Sequence, residues 1–427
     1  MPIHTLMFGW EYPPAHCGGL GVACQGIVRG LLHHGAQVTL VLPHDRGIES
    51  GVKILSPTVE QRVASIVEVP SMLQPYDGPS DYAARSEERW HTASVPAGAM
   101  QQLYGSDLLA EVERFTATAA DMTKNIHPDI IHTHDWMTLE AGHRSAKKSG
   151  KPLIAHVHAT ELDRTEYNPN QWIYDRERDG LLRATKVIAV SEYTKQLLIR
   201  EYGIPNDSIT VLHNGTQDAP REVSRPRRQN KHPLVLFLGR LTVQKGAMYF
   251  LEAARKMIDY VPDIRCVIAG EGYLLPELIG RACELGLAES VIFAGKVKSE
   301  EAESLYRQAD CFVMPSVSEP FGLVALEAIT HGAPVVLSKQ SGASEVVHNA
   351  LTVDFWDTDK MADCILTVLR EQPIADQMRK ETPRILRHLT WNNQASKLLS
   401  LYHSLSPALA PLSASIFNYT NPIASST

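Results

Sequence analysis

The chain has 427 residues, which is long for one hydrophobic core, so two domains are expected. Apolar residues make up 44% and charged residues 21%, the proportions of a globular protein, and the net charge of −7 argues against non-specific nucleic-acid binding. No apolar run is long enough for stable membrane insertion, and the start MPIHTLMFGWEYPP lacks the basic and apolar regions of a secretion signal, so a cytoplasmic location is expected.

Strand-like apolar runs lie at 5–8, 38–42, 130–132, 153–157, 187–190 and 209–212, with helical stretches between them. The clearest helix, 108–125, is amphipathic and carries Glu111, Glu113 and Asp121, unlike a basic membrane-surface helix. Residues 70–105 hold scattered Pro, Tyr and Trp without a period, a long excursion of the kind that is often functional. A polar, proline-interrupted stretch at 217–233 reads as a linker. Alternation resumes with strands at 234–238, 265–269, 291–293, 311–314 and 334–337. A final amphipathic helix is expected at 391–405, followed by a Pro/Ser-rich tail at 406–427 that reads as disordered. The expected domains are therefore 1–216 and 234–390, each a Rossmann-like βαβ array with a parallel sheet.

Cys17, Cys24, Cys266, Cys283, Cys311 and Cys364 form no Cys-x-x-Cys pair and read as thiols in a reducing compartment. The cluster His132, His134, Asp135, His156 and His158 suggests a metal site. His132 and His134 are, however, expected on opposite faces of a strand end, and no metal is expected.

Ligands of open α/β sheets bind beyond the carboxyl ends of strands. After the first strand comes a glycine-rich turn, Gly18-Gly19-Leu20-Gly21; alone it reads equally as a tight structural turn or as backbone close to a ligand. The strand at 234–238 is followed by Arg240 and Lys245, which together could neutralise a diphosphate, or could be a solvated loop. The strand at 311–314 leads into SEPFGLVALE (318–327), with Glu319 and Glu327 flanking a helix N-terminus. Free N–H groups at Gly322 and Leu323 suit phosphate, and the carboxylates suit sugar or ribose hydroxyls.

These pieces, with HDW at 134–136, HVHATELDR at 156–164, HNG at 213–215, GRLTVQKG at 239–246 and GEG at 270–272, resemble the retaining GT-B nucleotide-sugar glycosyltransferases. That broad group includes glycogen and starch synthases and sucrose synthases. The resemblance implies two Rossmann-like domains facing a cleft, with the helix at 391–405 crossing back to the first. It implies a hexosyltransferase that moves a hexose such as glucose from UDP-glucose or ADP-glucose to a glucan or other carbohydrate, with no cofactor. Arg240 and Lys245 would hold the diphosphate, Glu327 the ribose, and Glu319 the transferred sugar. Gly18, Gly19, Phe321, Gly322 and Leu323 would line the donor, His158 would lie at the reacting centre, and Asp135 and Trp136 on the acceptor side. Where starch-type enzymes often carry lysine two residues before the Gly-Gly pair, this chain has His16. A lipid or cell-envelope acceptor, or a nucleotide-sugar epimerase on the same plan, is the alternative reading.

Overall fold

The computed structural model describes residues 2–13, 18–43, 65–68, 108–217 and 232–406. The excursion at 70–105, His16, Cys17, most of the expected linker and nearly all of the tail lie outside the described residues.

The first half builds a seven-stranded sheet in the order β3-β2-β1-β4-β5-β6-β7. Its strands are β1 (His4–Phe8), β2 (Gln37–Leu42), β3 (Ser65–Glu68), β4 (Ile130–His134), β5 (Leu153–Val157), β6 (Lys186–Ala189) and β7 (Ile209–Val211). The helices of this half are α1 (Gly19–His33), α2 (Leu108–Met122), α3 (Trp136–Ser149), α4 (Glu161–Thr165), α5 (Gln171–Leu182) and α6 (Glu192–Tyr202). The second half builds a six-stranded sheet in the order β10-β9-β8-β11-β12-β13. It comprises β8 (Leu234–Leu238), β9 (Arg265–Ala269), β10 (Val291–Gly295), β11 (Cys311–Met314), β12 (Val335–Ser338) and β13 (Leu351–Val353). Around them lie α7 (Ala247–Ile258), α8 (Leu275–Glu284), α9 (Ser299–Gln308), α10 (Leu323–Thr330), α11 (Thr358–Arg370), α12 (Gln372–Leu386) and α13 (Trp391–Leu405).

Every strand pair is parallel. Parallel strands need crossovers, and the helices that make them cover both faces, which is why most strands here are almost wholly apolar. In each sheet the strand order reverses beside the first strand, between β1 and β4 and again between β8 and β11. At such a point the outgoing loops diverge to opposite faces and leave a crevice. Most of the chemistry-bearing turns read from the sequence follow these four strands, and His158 follows the neighbouring β5.

β3 and β13 were not expected as strands. Both are short edge strands, four and three residues long, without the apolar length that marks a buried strand.

The helix α13 leaves the second half and packs on α1. Trp391, Ala395, Leu398 and Tyr402 join Ile27, Val28 and Leu31 in one buried cluster. Gly26 makes this contact possible, because a Cβ there would fall on the Trp391 ring. Two crossing points between the halves lie side by side: Thr216 N donates to Leu389 O (2.7 Å) and Trp391 N donates to Thr216 O (2.9 Å).

Candidate active site

At the β1 end, Glu11 is only 5% exposed and sits at the N-terminus of α1. Its Oε2 accepts from Gly18 N (3.1 Å) and Gly21 N (3.2 Å). Burial pushes its pKa up to about 7, opposed by those two amides and by the charge of Arg240. Glu11 thus takes two of the orphan donors that a bare helix start would offer an anion. Gly19 faces the second half, where a Cβ on it would lie 3.9 Å from Leu323 Cδ1. The N-termini of α1 and α10 therefore look at each other across the cleft, and both favour negative charge between them.

The strand β4 runs through His134, two residues further than expected. Side chains two apart in a strand share a face, so the expectation that His132 and His134 point oppositely is overturned: their rings stack, with centroids 4.6 Å apart. His156 and His158 extend the stack from β5 and the turn after it. His132 Nδ1 meets Tyr402 Oη of α13 (2.5 Å), His132 Nε2 meets His156 Nδ1 (3.2 Å), and His134 Nδ1 meets His158 Nε2 (2.8 Å). One nitrogen each of His132, His134 and His156 lies within 4.8 Å of the others, close enough to consider an ion. The planes of these three rings are nearly parallel, 15–31° apart. A metal in the plane of one ring would stand well out of the plane of the next, so in this arrangement the lone pairs do not converge as tetrahedral or octahedral ligation requires. Burial holds all four histidines below their ordinary pKa, His158 at about 3, and they are neutral at pH 7.

Asp135 follows β4 with φ 57° and ψ 173°, a region that side chains other than glycine avoid. Its carboxylate holds it there by accepting from His158 N (2.6 Å) and Ala159 N (3.4 Å). Arg164 donates to the second oxygen at 3.4 Å. That guanidinium also bonds Ala159 O (2.6 Å) and lies within 4.0 Å of Glu161 and 3.9 Å of Glu177. Trp136 is buried in the core, edge-on to Trp172.

Burial raises the pKa of Asp135, and it lifts Glu177 from 4.5 to about 8. Glu177 is bonded by Glu161 N and by Tyr202 Oη. Between those two values the folded chain holds a proton that the unfolded chain releases. The stability contributed by Glu177 is thus complete below pH 4.5 and is lost as pH rises through 8. Glu177→Gln, which does not titrate, is expected to flatten the fall in melting temperature between pH 5 and pH 8 (about the window set by the two pKa values), as read by thermal denaturation across that range.

In the second half, β8 delivers Arg240, which is exposed, and Lys245, which is partly buried. Lys245 Nζ meets Glu319 Oε2 at 2.6 Å, and Ser316 Oγ donates to the same oxygen (3.1 Å). Gln244 stitches this loop to the one after β11: its Nε2 donates to Ser318 O (3.0 Å) and its backbone carbonyl accepts from Val317 N (2.9 Å). Arg240 reaches the Gln244 side chain at 3.4 Å. Glu319 is 6% exposed and pinned by its backbone between Gln340 O (2.9 Å) and Gly342 N (3.0 Å). Gly322 starts α10 with φ 102°, and a Cβ there would meet the Met314 side chain at 2.9 Å, so only glycine turns the chain here without strain. Phe321 is buried, 6.0 Å between ring centroids from His213. Glu327 lies on the exposed side of α10 and accepts from Tyr306 Oη (3.0 Å).

The fold therefore brings Gly18, Gly19, Arg240, Lys245, Glu319, Gly322 and Leu323 to the carboxyl ends of the switch-point strands. Glu327 lies about one turn further along α10, His158 and Asp135 line the first-half wall, and Trp136 and Phe321 serve the cores behind them. The sequence reading missed Glu11, Gln244, Arg164 and Glu177. A lone carboxylate before Tyr-Pro-Pro carries no motif, and a glutamine between cations looks like spacing.

Comparison with known proteins agrees with this geometry. The family model for Glycosyltransferase Family 4 matches residues 17–219, and that for Glycosyl transferases group 1 matches residues 218–384. An uncharacterized glycosyltransferase of Methanocaldococcus jannaschii is 28% identical over 93% of this chain and 97% of its own. A glycogen synthase of Mycobacterium tuberculosis is 28% identical over 94% of each chain. Among solved structures, a sucrose-phosphate synthase of Thermosynechococcus elongatus superposes with TM-score 0.73 at 19% identity, over 95% of this chain and all of that one. HepE of Anabaena, solved with UDP and glucose, gives TM-score 0.69 at 19% identity over 94% and 100%. Two parallel α/β sheets, a cleft between their switch points and paired family matches define a GT-B glycosyltransferase. The chain is a glycosyltransferase of GT-B type, related to glycogen synthase. No described helix is long and apolar enough to cross a membrane.

Proposed function

We propose that this chain transfers a hexose, glucose in the first instance, from a nucleoside diphosphate sugar to a carbohydrate hydroxyl, with retention at the anomeric carbon and without a metal ion. The observation that carries the reading is the Lys245–Glu319 pair at 2.6 Å beside the α10 N-terminus, facing Gly19 of α1. In this reading Arg240 and Lys245 hold the diphosphate, and the α10 amides at Gly322 and Leu323 complete its cradle. Glu327 takes the ribose hydroxyls, and Glu319 exchanges its lysine partner for sugar hydroxyls when donor binds.

Cleavage of the bond between the anomeric carbon and the diphosphate oxygen sends the electron pair to that oxygen and leaves an oxocarbenium-like sugar. Fixed cations and helix N-termini stabilise the departing charge, the role that a divalent ion plays in other transferases. The acceptor oxygen then bonds the same face of the anomeric carbon, and its proton passes to the leaving diphosphate. His158, with a pKa of about 3, is too weak a base to take that proton at neutral pH, so its part is to contact the sugar. The acceptor enters on the side of Asp135 and His158. A glycogen synthase among the relatives supports a glucan as the first acceptor to try.

The test is nucleotide release from UDP-glucose and from ADP-glucose, each with and without a maltooligosaccharide, in the presence and absence of EDTA. Acceptor-dependent release from one donor, indifferent to EDTA, is expected. Interconversion of the donor without acceptor would replace the reading with an epimerase, and loss of activity in EDTA restored by a divalent ion would overturn the metal-free mechanism.

A further inference from the structure

Outside the donor cradle, the densest set of buried polar contacts between the two halves converges on the loop that carries Glu319. Ser318 Oγ donates to Asp163 Oδ1 of α4 at 2.5 Å, and the Tyr193 hydroxyl lies 3.0 Å from the same Ser318 oxygen. Ser318 and Asp163 are 2% and 1% exposed. Two residues further on, Pro320 O accepts from Ser191 Oγ (2.5 Å). The second oxygen of Asp163 is taken by Thr160 N and Thr160 Oγ1, both at 2.8 Å, and Ser318 serves the first. At the edge of this contact Glu345 of the second half accepts from Glu192 N (2.9 Å) and Tyr193 N (2.6 Å). The N-terminus of α6 is thereby capped by a carboxylate from the opposite half.

The two ends of the Ser318–Asp163 bond are each one residue from a functional group. Ser318 precedes Glu319, whose carboxylate meets Lys245. Asp163 precedes Arg164, which steadies the Asp135 carboxylate that holds the backbone of His158. A buried carboxylate with a missing donor is costly, so separation of the halves would penalise Asp163 unless water replaced the serine. We infer that Asp163 and Ser318 are a positioning pair that sets the Glu319 loop from the acceptor side, so that closure of the cleft and alignment of the donor sugar are one event. The pair touches neither the proposed nucleotide nor the reacting atoms. This inference rests on the functional reading above for its catalytic consequence, but not for the contact itself.

Two measurements on the full chain test it. Ser318→Ala is expected to speed hydrogen exchange in the peptide that spans the α6 N-terminus by about fivefold or more, because loosening the clasp uncovers Glu192 N and Tyr193 N. The same variant is expected to lower kcat by roughly tenfold or more, as misplacement of a positioned group does. Binding of UDP and ADP, measured calorimetrically, should stay at the wild-type value, since Arg240, Lys245 and Glu327 are untouched. Asp163→Asn can offer a carbonyl to the serine only by turning its NH2 toward Thr160 N, so it too is expected to speed exchange at the α6 N-terminus. Unchanged exchange in Ser318→Ala would overturn the clasp, and a parallel loss of nucleotide affinity would show direct damage to the donor site instead of positioning. Should the wild type turn over no donor, the functional reading fails and the exchange rates alone decide on the pair.

Discussion

Replacement of Lys245 by alanine is expected to lower turnover by about 10²–10³-fold, the usual cost of removing one preorganised charge from a transition state. The ammonium is held where its charge can act: its side chain is 19% exposed, it ends 2.6 Å from Glu319, and Gln244 beside it ties the loop to Ser318 and Val317. Without the lysine, Glu319 keeps Ser316 as a donor but faces the diphosphate as an uncompensated negative charge. Donor affinity should therefore fall together with kcat. The fold should not: the loop is fixed by the backbone of Lys245, whose N–H bonds Thr242 O, and by Gln244. Steady-state kinetics with the preferred donor, beside a melting curve, check both halves of this expectation. Near-normal turnover in a folded variant would remove Lys245 from the diphosphate site and with it the main support for the proposed chemistry.

The parts of this arrangement that were legible in the sequence are those in which backbone demand and chemistry coincide on neighbouring residues. SEPFGLVALE combines an apolar strand before it, a glycine that must take φ 102° and two carboxylates at a helix start, and each of these leaves a mark in the sequence. The long, wholly buried strands were legible for the same reason. The edge strands β3 and β13 were not, because runs of four and three residues are too short for a strand period to show. The histidine stack was misread because its geometry depends on where β4 ends. One more turn of the pleat brings His132 and His134 to a common face, and their partners, Tyr402 and the pair His156 and His158, come from other elements. Glu11 and the carboxylates around Arg164 were invisible for a related reason: each gains meaning only from groups many residues away.

Arg164 is the residue whose loss should cost the fold most. One guanidinium, 5% exposed in its side chain, lies within 4.0 Å of Asp135, Glu161 and Glu177, all of them buried. Replacing buried ion groups together with apolar ones of similar shape can be neutral, but removing one partner leaves the others charged in a dry site, at a typical cost of about 3–5 kcal/mol. Arg164→Ala is therefore expected to lower the melting temperature by roughly 10 °C. The bonds that Arg164 makes to Asp135 and Ala159 O would go with it, so the strained Asp135 backbone and the His158 turn would loosen even in molecules that remain folded. The remaining acids can relieve the repulsion by taking up protons, which predicts that the deficit shrinks as pH is lowered from 8 to 5 (about the range over which a buried carboxyl such as Glu177 gains its proton). Differential scanning calorimetry of the variant at the two pH values reads both effects. An equal melting temperature at pH 8 would mean that water reaches the cluster and that its charges are solvated, whereas a deficit of the same size at both pH values would mean that Arg164 acts through packing instead of charge. Adding Glu177→Gln to Arg164→Ala should recover part of the loss at pH 8 and little at pH 5, because at the higher pH the buried carboxyl must take up a proton that the unfolded chain has released, and the amide needs none.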